Sequence, residues 1–374
     1  MLKFLKNLLF LTLILFTLPI QTQAQEVRED FQGTYRAEVK NITDEYSAEI
    51  WNNTEAVYKT IEVKFLEGPQ EGQVVTFDSD YPLIKEGLKV YINYYIYIDG
   101  NEVYSITNID RKNRIYFFIG LFVLAVILLG GKQGLRSLLS LAASFLAIFY
   151  ILLPGILLGW NPLVFSFLVA SAILFFAIFF THGFNKESLV AYGGTMLAVF
   201  LTTILAIIAV KVNYLSGQSS DESTYLYFNS GGSLDFAGLL LGAIIIGVLG
   251  VLDDIAVTQA AVVSELYDSN KDISRMEVYK RAMRIGREHV GALVNTLVLA
   301  YTGTALPLLL LFKTREYSFT TAINLEIFTT EIIRTIVGSI GLIITVPIVT
   351  LMSVYFLKGY KSKHNHSHSH THHH

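Results

Sequence analysis

The pattern of apolar and polar positions changes character three times along the chain. A basic head, "MLKFLKN", leads into the apolar run "LLFLTLILFTLPI" and then the small or neutral "QTQAQ". That order is a secretory signal with cleavage after Ala24, or an uncleaved anchor helix. Residues 25–110 then alternate with period two: "TYRAEVKNI", "YSAEIWN", "YKTIEVKFL", "GQVVTFD", "LKVYINYYIYI" and "EVYSITNID". Gly68-Pro69 and Asp99-Gly100 supply turn chemistry between these runs. Five or six short strands predict a small antiparallel β-barrel-like domain of OB-like form.

From Ile115 the alternation gives way to long apolar segments. Seven are expected, at about 115–131, 136–154, 162–181, 188–211, 235–263, 289–312 and 327–357. Each is long enough, or nearly so, to cross roughly 30 Å of hydrocarbon at about 1.5 Å per residue. The predicted architecture is an α-helical polytopic membrane bundle over 115–357 with a small N-terminal extracytoplasmic β-barrel-like domain.

Charge orients that bundle. Lys3 and Lys6 hold the head inside, so the strand-rich domain is expected outside. Lys132 and Arg136, then His182 and Lys186, fall in the expected cytoplasmic links. So does a third group running from Lys271 to Arg287, and the tail carries Lys358, Lys361 and Lys363. The long link at 213–234 has acidic residues and no base. Only "RKNR" at 111–114 and the pair Lys313 and Arg315 run against the bias. The expected location is a bacterial inner membrane, with the C-terminus in the cytoplasm.

Composition agrees. Of 374 residues, 52% are hydrophobic and 16% charged, outside the usual globular range. A net charge of −3 gives no basic field for nucleic acid, and the lack of cysteine excludes disulfides, thiolate metal sites and cysteine nucleophiles.

Three stretches carry a family resemblance: "GVLDDIAVTQAAVVSEL" (250–266), "RAMRIGREHVGALVNTLVLAYTGTALPLLLL" (281–311) and "EIIRTIVGSIGLIITVP" (331–347). They resemble the YibE/F-like family of bacterial multi-pass membrane proteins. The resemblance implies membrane topology more than activity. A fainter likeness is to the permease halves of SecD/SecF and RND-type proteins, which also place an aspartate within the membrane; it is analogy only.

The fifth segment raises the chemical question. It is apolar apart from Asp253, Asp254, Thr258 and Gln259. A charge at the centre of a membrane helix costs about 2.5–3.5 kcal/mol on insertion scales, so two need a partner, a cavity, or a bound proton or cation. Helical spacing puts Gly247, Gly250, Asp254, Thr258 and Ala261 on one seam, where another helix can approach closely. Asp253 lies about 100° away, beside Gly242, Ile246, Leu249 and Val257. The structural alternative is a helix that ends at Leu252, with the aspartates capping the next one.

On the sixth segment Asn295 and Thr296 are candidate neighbours: Thr296 shares a small seam with Ala292, Ala300, Gly303 and Pro307, and Asn295 a second one beside it with Gly291 and Thr302. On the seventh, Glu331 and Arg334 are spaced to pair near the external end, as a gate or as an interfacial ion pair. The link "SRMEVYKRAMRIGREH" opens with Ser274 and Glu277 in capping-box spacing. Its stripe Met276, Tyr279 and Met283 predicts a helix lying on the cytoplasmic membrane face, as an anchor or a lever.

The tail adds His364, His366, His368, His370, His372, His373 and His374, which as a native sequence would bind divalent metal ions and as a tag would say nothing. No other cofactor is implied. HExxH, Walker A and GxSxG are absent, so no recognised catalytic motif supports an enzyme. The leading expectation is a proton- or cation-coupled transporter using Asp253, Asp254, Thr258, Asn295, Thr296, Glu331 and Arg334. A membrane accessory or scaffold for export is the alternative, with an intramembrane enzyme third. Partners are the bilayer, an unidentified protein for the external domain, and a second copy if the protein oligomerises.

Overall fold

The structure is a computed structural model that describes residues 31–51, 54–97, 101–314 and 318–359. The N-terminal signal, the Asp99-Gly100 turn and the histidine tail lie outside these residues. The chain divides into two compact units at Phe122–Val123.

The first unit is built on a five-stranded antiparallel sheet. Its strands are β1 (Phe31–Trp51), β2 (Thr54–Phe65), β3 (Val74–Ser79), β4 (Lys89–Ile96) and β5 (Glu102–Ile109), in the order β3-β2-β1-β4-β5. The first two predicted strands are one 21-residue strand. Its register with β2 shifts at Val39/Asn41, Ile42/Asp44 and Glu49/Trp51, and such bulges bend a strand without ending it. Ala37, Val39, Ile61, Val63, Phe65, Val90 and Ile92 fill the inner face. The edge strands curl toward each other, with Phe77 of β3 stacked 5.8 Å from Tyr104 of β5. They share no ladder, so the expected barrel-like domain is a half-barrel sheet.

The rest is helical. The helices are α1 (Lys112–Ala147), α2 (Leu153–Leu157), α3 (Pro162–His182), α4 (Lys186–Val212), α5 (Asp221–Asn229) and α6 (Phe236–Ser269). After them come α7 (Arg275–Thr304), α8 (Leu306–Thr314), α9 (Phe319–Ile323) and α10 (Glu326–Phe356). Side-chain caps fix several starts: Asn161 accepts from the Val164 N–H at 3.0 Å, Asn185 from Ser188 at 2.7 Å, and Asp235 from Gly238 at 2.8 Å.

Among the described residues, five helical stretches are long and apolar enough to cross a membrane, and the α7–α8 pair, bent by 58°, makes a sixth. The first and second expected segments are joined. Residues 112–157 run as one helical stretch through a π-helical turn at Ile148–Leu152, where Pro154 cannot donate its backbone bond. Within that stretch Gly131 is non-helical, with φ 52° and ψ −133°. The chain turns sharply there, because a Cβ at Gly134 would run into the carbonyl of Val126, eight residues earlier. On a straight helix those positions are about 12 Å apart along the axis.

A second difference concerns the basic link. It is not a separate helix but the first half of α7. Val278, Ala282 and Gly286 are buried, whereas Met276 of the predicted apolar stripe is 63% exposed. The Ser274 hydroxyl caps the Glu277 N–H at 3.2 Å, as its spacing predicts. Gln259 of α6 fastens this half-helix to the bundle. Its amide donates to the Ala282 carbonyl at 2.9 Å and to the Thr350 hydroxyl of α10 at 2.7 Å.

Candidate functional site

Helix α6 runs unbroken through Asp253 and Asp254, so neither is a helix cap and the capping alternative fails. Asp253 stands 17 residues from Phe236 and 16 from Ser269, at the middle of the helix. The two carboxylates have different surroundings. Asp253 is half-buried, and its Oδ1 is fully buried without a hydrogen-bond partner. Asp254 is exposed.

Both line a cavity of about 430 Å³ between α1, α3 and α6. Its α1 wall carries Ser137, Ser140 and Ser144, at helical steps of three and four. Its α3 wall carries Thr181 and His182. The Ser144 hydroxyl donates to the Ser140 carbonyl at 3.0 Å, and Gln133 donates to the Thr181 carbonyl at 3.3 Å, holding α1 to α3. A cavity with hydroxyls on one side and carboxylates on the other can hold water, a proton or a small cation inside an otherwise apolar bundle.

The expected partners of the pair lie elsewhere. Gly247, Gly250, Asp254, Thr258 and Ala261 do share a face, and all five are exposed. A Cβ at Gly250 would meet nothing within 4 Å, and one at Gly247 only the Tyr301 hydroxyl, at 3.1 Å. Small residues allow close packing without compelling it. The close approaches in this bundle occur on other faces, such as Gly194 of α4 against Val349 of α10. Asn295 and Thr296 are exposed on α7, and Thr296 spends its hydroxyl on the Ala292 carbonyl at 3.0 Å. Neither lines the Asp253 cavity.

Glu331 and Arg334 form the ion pair their spacing predicts, Nη1 to Oε1 at 2.7 Å, five and eight residues into α10. They line a separate cavity, described below. The serine stripe of α1, with Thr181 and His182, is what sequence reasoning missed. Its signal was present in "SLLSLAAS", residues 137–144, as hydroxyls recurring on one helical face. Among the described residues, no three His, Asp or Glu side chains gather to hold a metal.

Long apolar helices packed on small-residue contacts, with carboxylates turned into an internal cavity, define a multi-pass integral membrane protein. The chain belongs to the YibE/F-like protein family, whose match covers residues 118–359. No curated protein and no solved structure matches it.

Proposed function

We propose that the protein is a proton- or cation-coupled transporter in which Asp253 takes up and releases the coupling ion in the cavity between α1, α3 and α6. One observation carries the reading: a carboxylate oxygen at the midpoint of an apolar helix, buried without a partner, beside a cavity lined by hydroxyls. A permanent charge there would cost about 2.5–3.5 kcal/mol, which a bound proton or cation offsets. Asp254 is the second member, on the open side of the cavity, where repulsion between neighbouring carboxylates favours sharing one ion. The serine stripe, Thr181 and His182 supply the polar path to the pair.

The topology in this reading has seven spans. The stretch 112–157 would be about 69 Å long as a straight helix, more than twice the hydrocarbon thickness. The turn at Gly131 supports reading it as two spans. With the charge bias of the links, that puts the half-barrel outside and the C-terminus in the cytoplasm of a bacterial inner membrane. The strand order, with β3 and β5 curling toward each other, supports an OB-like reading of the half-barrel.

The test is ion flux into vesicles containing purified protein. The parent should dissipate an imposed proton or sodium gradient, and Asp253→Asn with Asp254→Asn should abolish that flux while the helices stay folded. A double variant that moves ions as the parent does would end the transporter reading and leave a scaffold for export. A cytoplasmic signal from a reporter fused at Gly100 would overturn the orientation.

A further inference from the structure

Two cavities meet where α10 begins. One, about 340 Å³, is almost wholly apolar, with walls that include Leu309, Phe312, Phe319, Ile323, Phe328 and Ile332. The other, about 480 Å³, has polar walls that include Ser219, Ser220, Thr330, Glu331 and Arg334. They share Ala305, Leu308 and Glu331, so one molecule can occupy both. The junction is made by the 58° bend between α7 and α8, which has Pro307 just beyond it. On the polar side, the 216–217 turn is held by Glu326. That carboxylate accepts from the Ser216 and Gly217 N–H groups at 2.6 and 2.9 Å.

The polar cavity has donors in want of acceptors. Arg334 Nε and Thr330 Oγ1 are both buried without hydrogen-bond partners. A buried donor left without an acceptor destabilises the fold. A ligand rich in acceptor oxygens removes that cost, and guanidinium suits the oxygens of phosphate or carboxylate. Glu331, paired to Arg334 through Nη1, makes the local charge neutral and disfavours a simple anion. A head group that carries both an oxyanion and an ammonium complements both members of the pair.

The apolar cavity then selects the rest of the molecule. Phe319, Leu309, Ile323 and Ile332 on its rim are exposed, a surface that in a bilayer meets acyl chains. Glu331 lies five residues from the start of α10, about 8 Å along its axis, near head-group depth when that end sits at the interface. We infer that the paired cavities bind one phospholipid with a zwitterionic head group. Its phosphate lies at Arg334 and Thr330, its ammonium at Glu331, and one acyl chain in the apolar cavity. This site is separate from Asp253 and stands whether or not ions move.

Native mass spectrometry of the full-length protein, stripped of lipid in detergent and titrated back, tests it. Phosphatidylethanolamine should bind at one per chain, about tenfold more tightly than phosphatidylglycerol, a difference of about 1.4 kcal/mol. Arg334→Gln, which loses the phosphate contact, should weaken binding of both lipids. Leu308→Trp, which fills the junction, should weaken binding of the lipid about tenfold. Thr330→Val does the work of Arg334→Gln should the latter fail to fold. Equal retention of the two lipids overturns the inference. So does phosphoethanolamine binding as tightly as the lipid, which would make the apolar cavity irrelevant, and so does unchanged binding in all three variants.

Discussion

Asp253 and Asp254 are adjacent in sequence, yet only Asp253 has a carboxylate oxygen buried without a partner; Asp254 is exposed. One residue of helix is about 100° of rotation, enough to bury one carboxylate oxygen and leave the neighbouring side chain exposed. The two substitutions should therefore differ. Asp253→Asn should lower ion flux by at least about tenfold, and Asp254→Asn by less than about threefold, on a scale where tenfold is 1.36 kcal/mol of barrier. The measurement is uptake into vesicles at matched protein content. The opposite ranking would return the path to the seam of Gly250 and Thr258.

The sequence put Asp254, not Asp253, on the small-residue seam, and the difference from the structure has a physical reason. Apolar length was readable: the hydrophobic pattern placed the ends of Pro162–His182 and Lys186–Val212 within two residues, and the Ser274 cap was readable from its spacing. Facing was not readable. A seam of Gly, Thr and Ala at steps of three and four looks the same whether a helix covers it or not, because small residues permit close approach without requiring it. The serines of α1 were hidden likewise, since an isolated hydroxyl in an apolar helix can bond back to its own backbone, as Ser144 does. In the half-barrel, Thr43, Asp44 and Glu45 fell between two predicted strands because they are polar, whereas β1 runs through them with a register shift at Ile42/Asp44.

Helix packing offers a test that needs no substrate. A Cβ at Gly194 would come 2.7 Å from Val349 Cγ2 and 3.3 Å from the Val349 Cα, which is backbone and cannot rotate away. Gly194→Ala should destabilise the bundle by about 1–3 kcal/mol, the usual range for overpacking. At Gly250 the added methyl meets nothing, and alanine is favoured over glycine within a helix by about 1 kcal/mol. Gly250→Ala should be neutral or mildly stabilising. Thermal unfolding in one detergent ranks the two, and equal losses would mean the seam is packed after all.

Gln259 ties three helices with one side chain, and its worth can be separated from its volume. Gln259→Met keeps the length and loses both donated bonds. Such bonds in membrane proteins average about 0.6 kcal/mol and reach about 1.7, so the expected loss is about 1–2 kcal/mol. Gln259→Ala adds a cavity and should cost more. If methionine is tolerated without any shift in unfolding temperature, packing alone holds the first half of α7 in place.

The half-barrel has its own pH signature. Tyr104 is stacked on Tyr94 at 5.3 Å, and both hydroxyls donate to Glu102, Tyr94 at 2.8 Å. Burial, followed by the Glu102 hydrogen bond, pushes the Tyr104 phenol up to about 12. The raised value means the folded state holds this proton more tightly than the unfolded chain, whose tyrosines ionise near about 10. The resulting stability is complete below pH of about 10 and is lost as pH rises through about 12. Glu102 runs the other way. Hydrogen bonds from Tyr104 and Tyr94 hold its carboxyl below the usual range, so its contribution is present above about pH 4.3 and fades in acid. Tyr104→Phe keeps the ring stack and removes the hydroxyl. Protease resistance of the sheet in the full-length protein should then fall less between pH of about 10 and 12 than in the parent. An identical alkaline profile in the variant would show that this tyrosine's proton is not what the folded sheet holds.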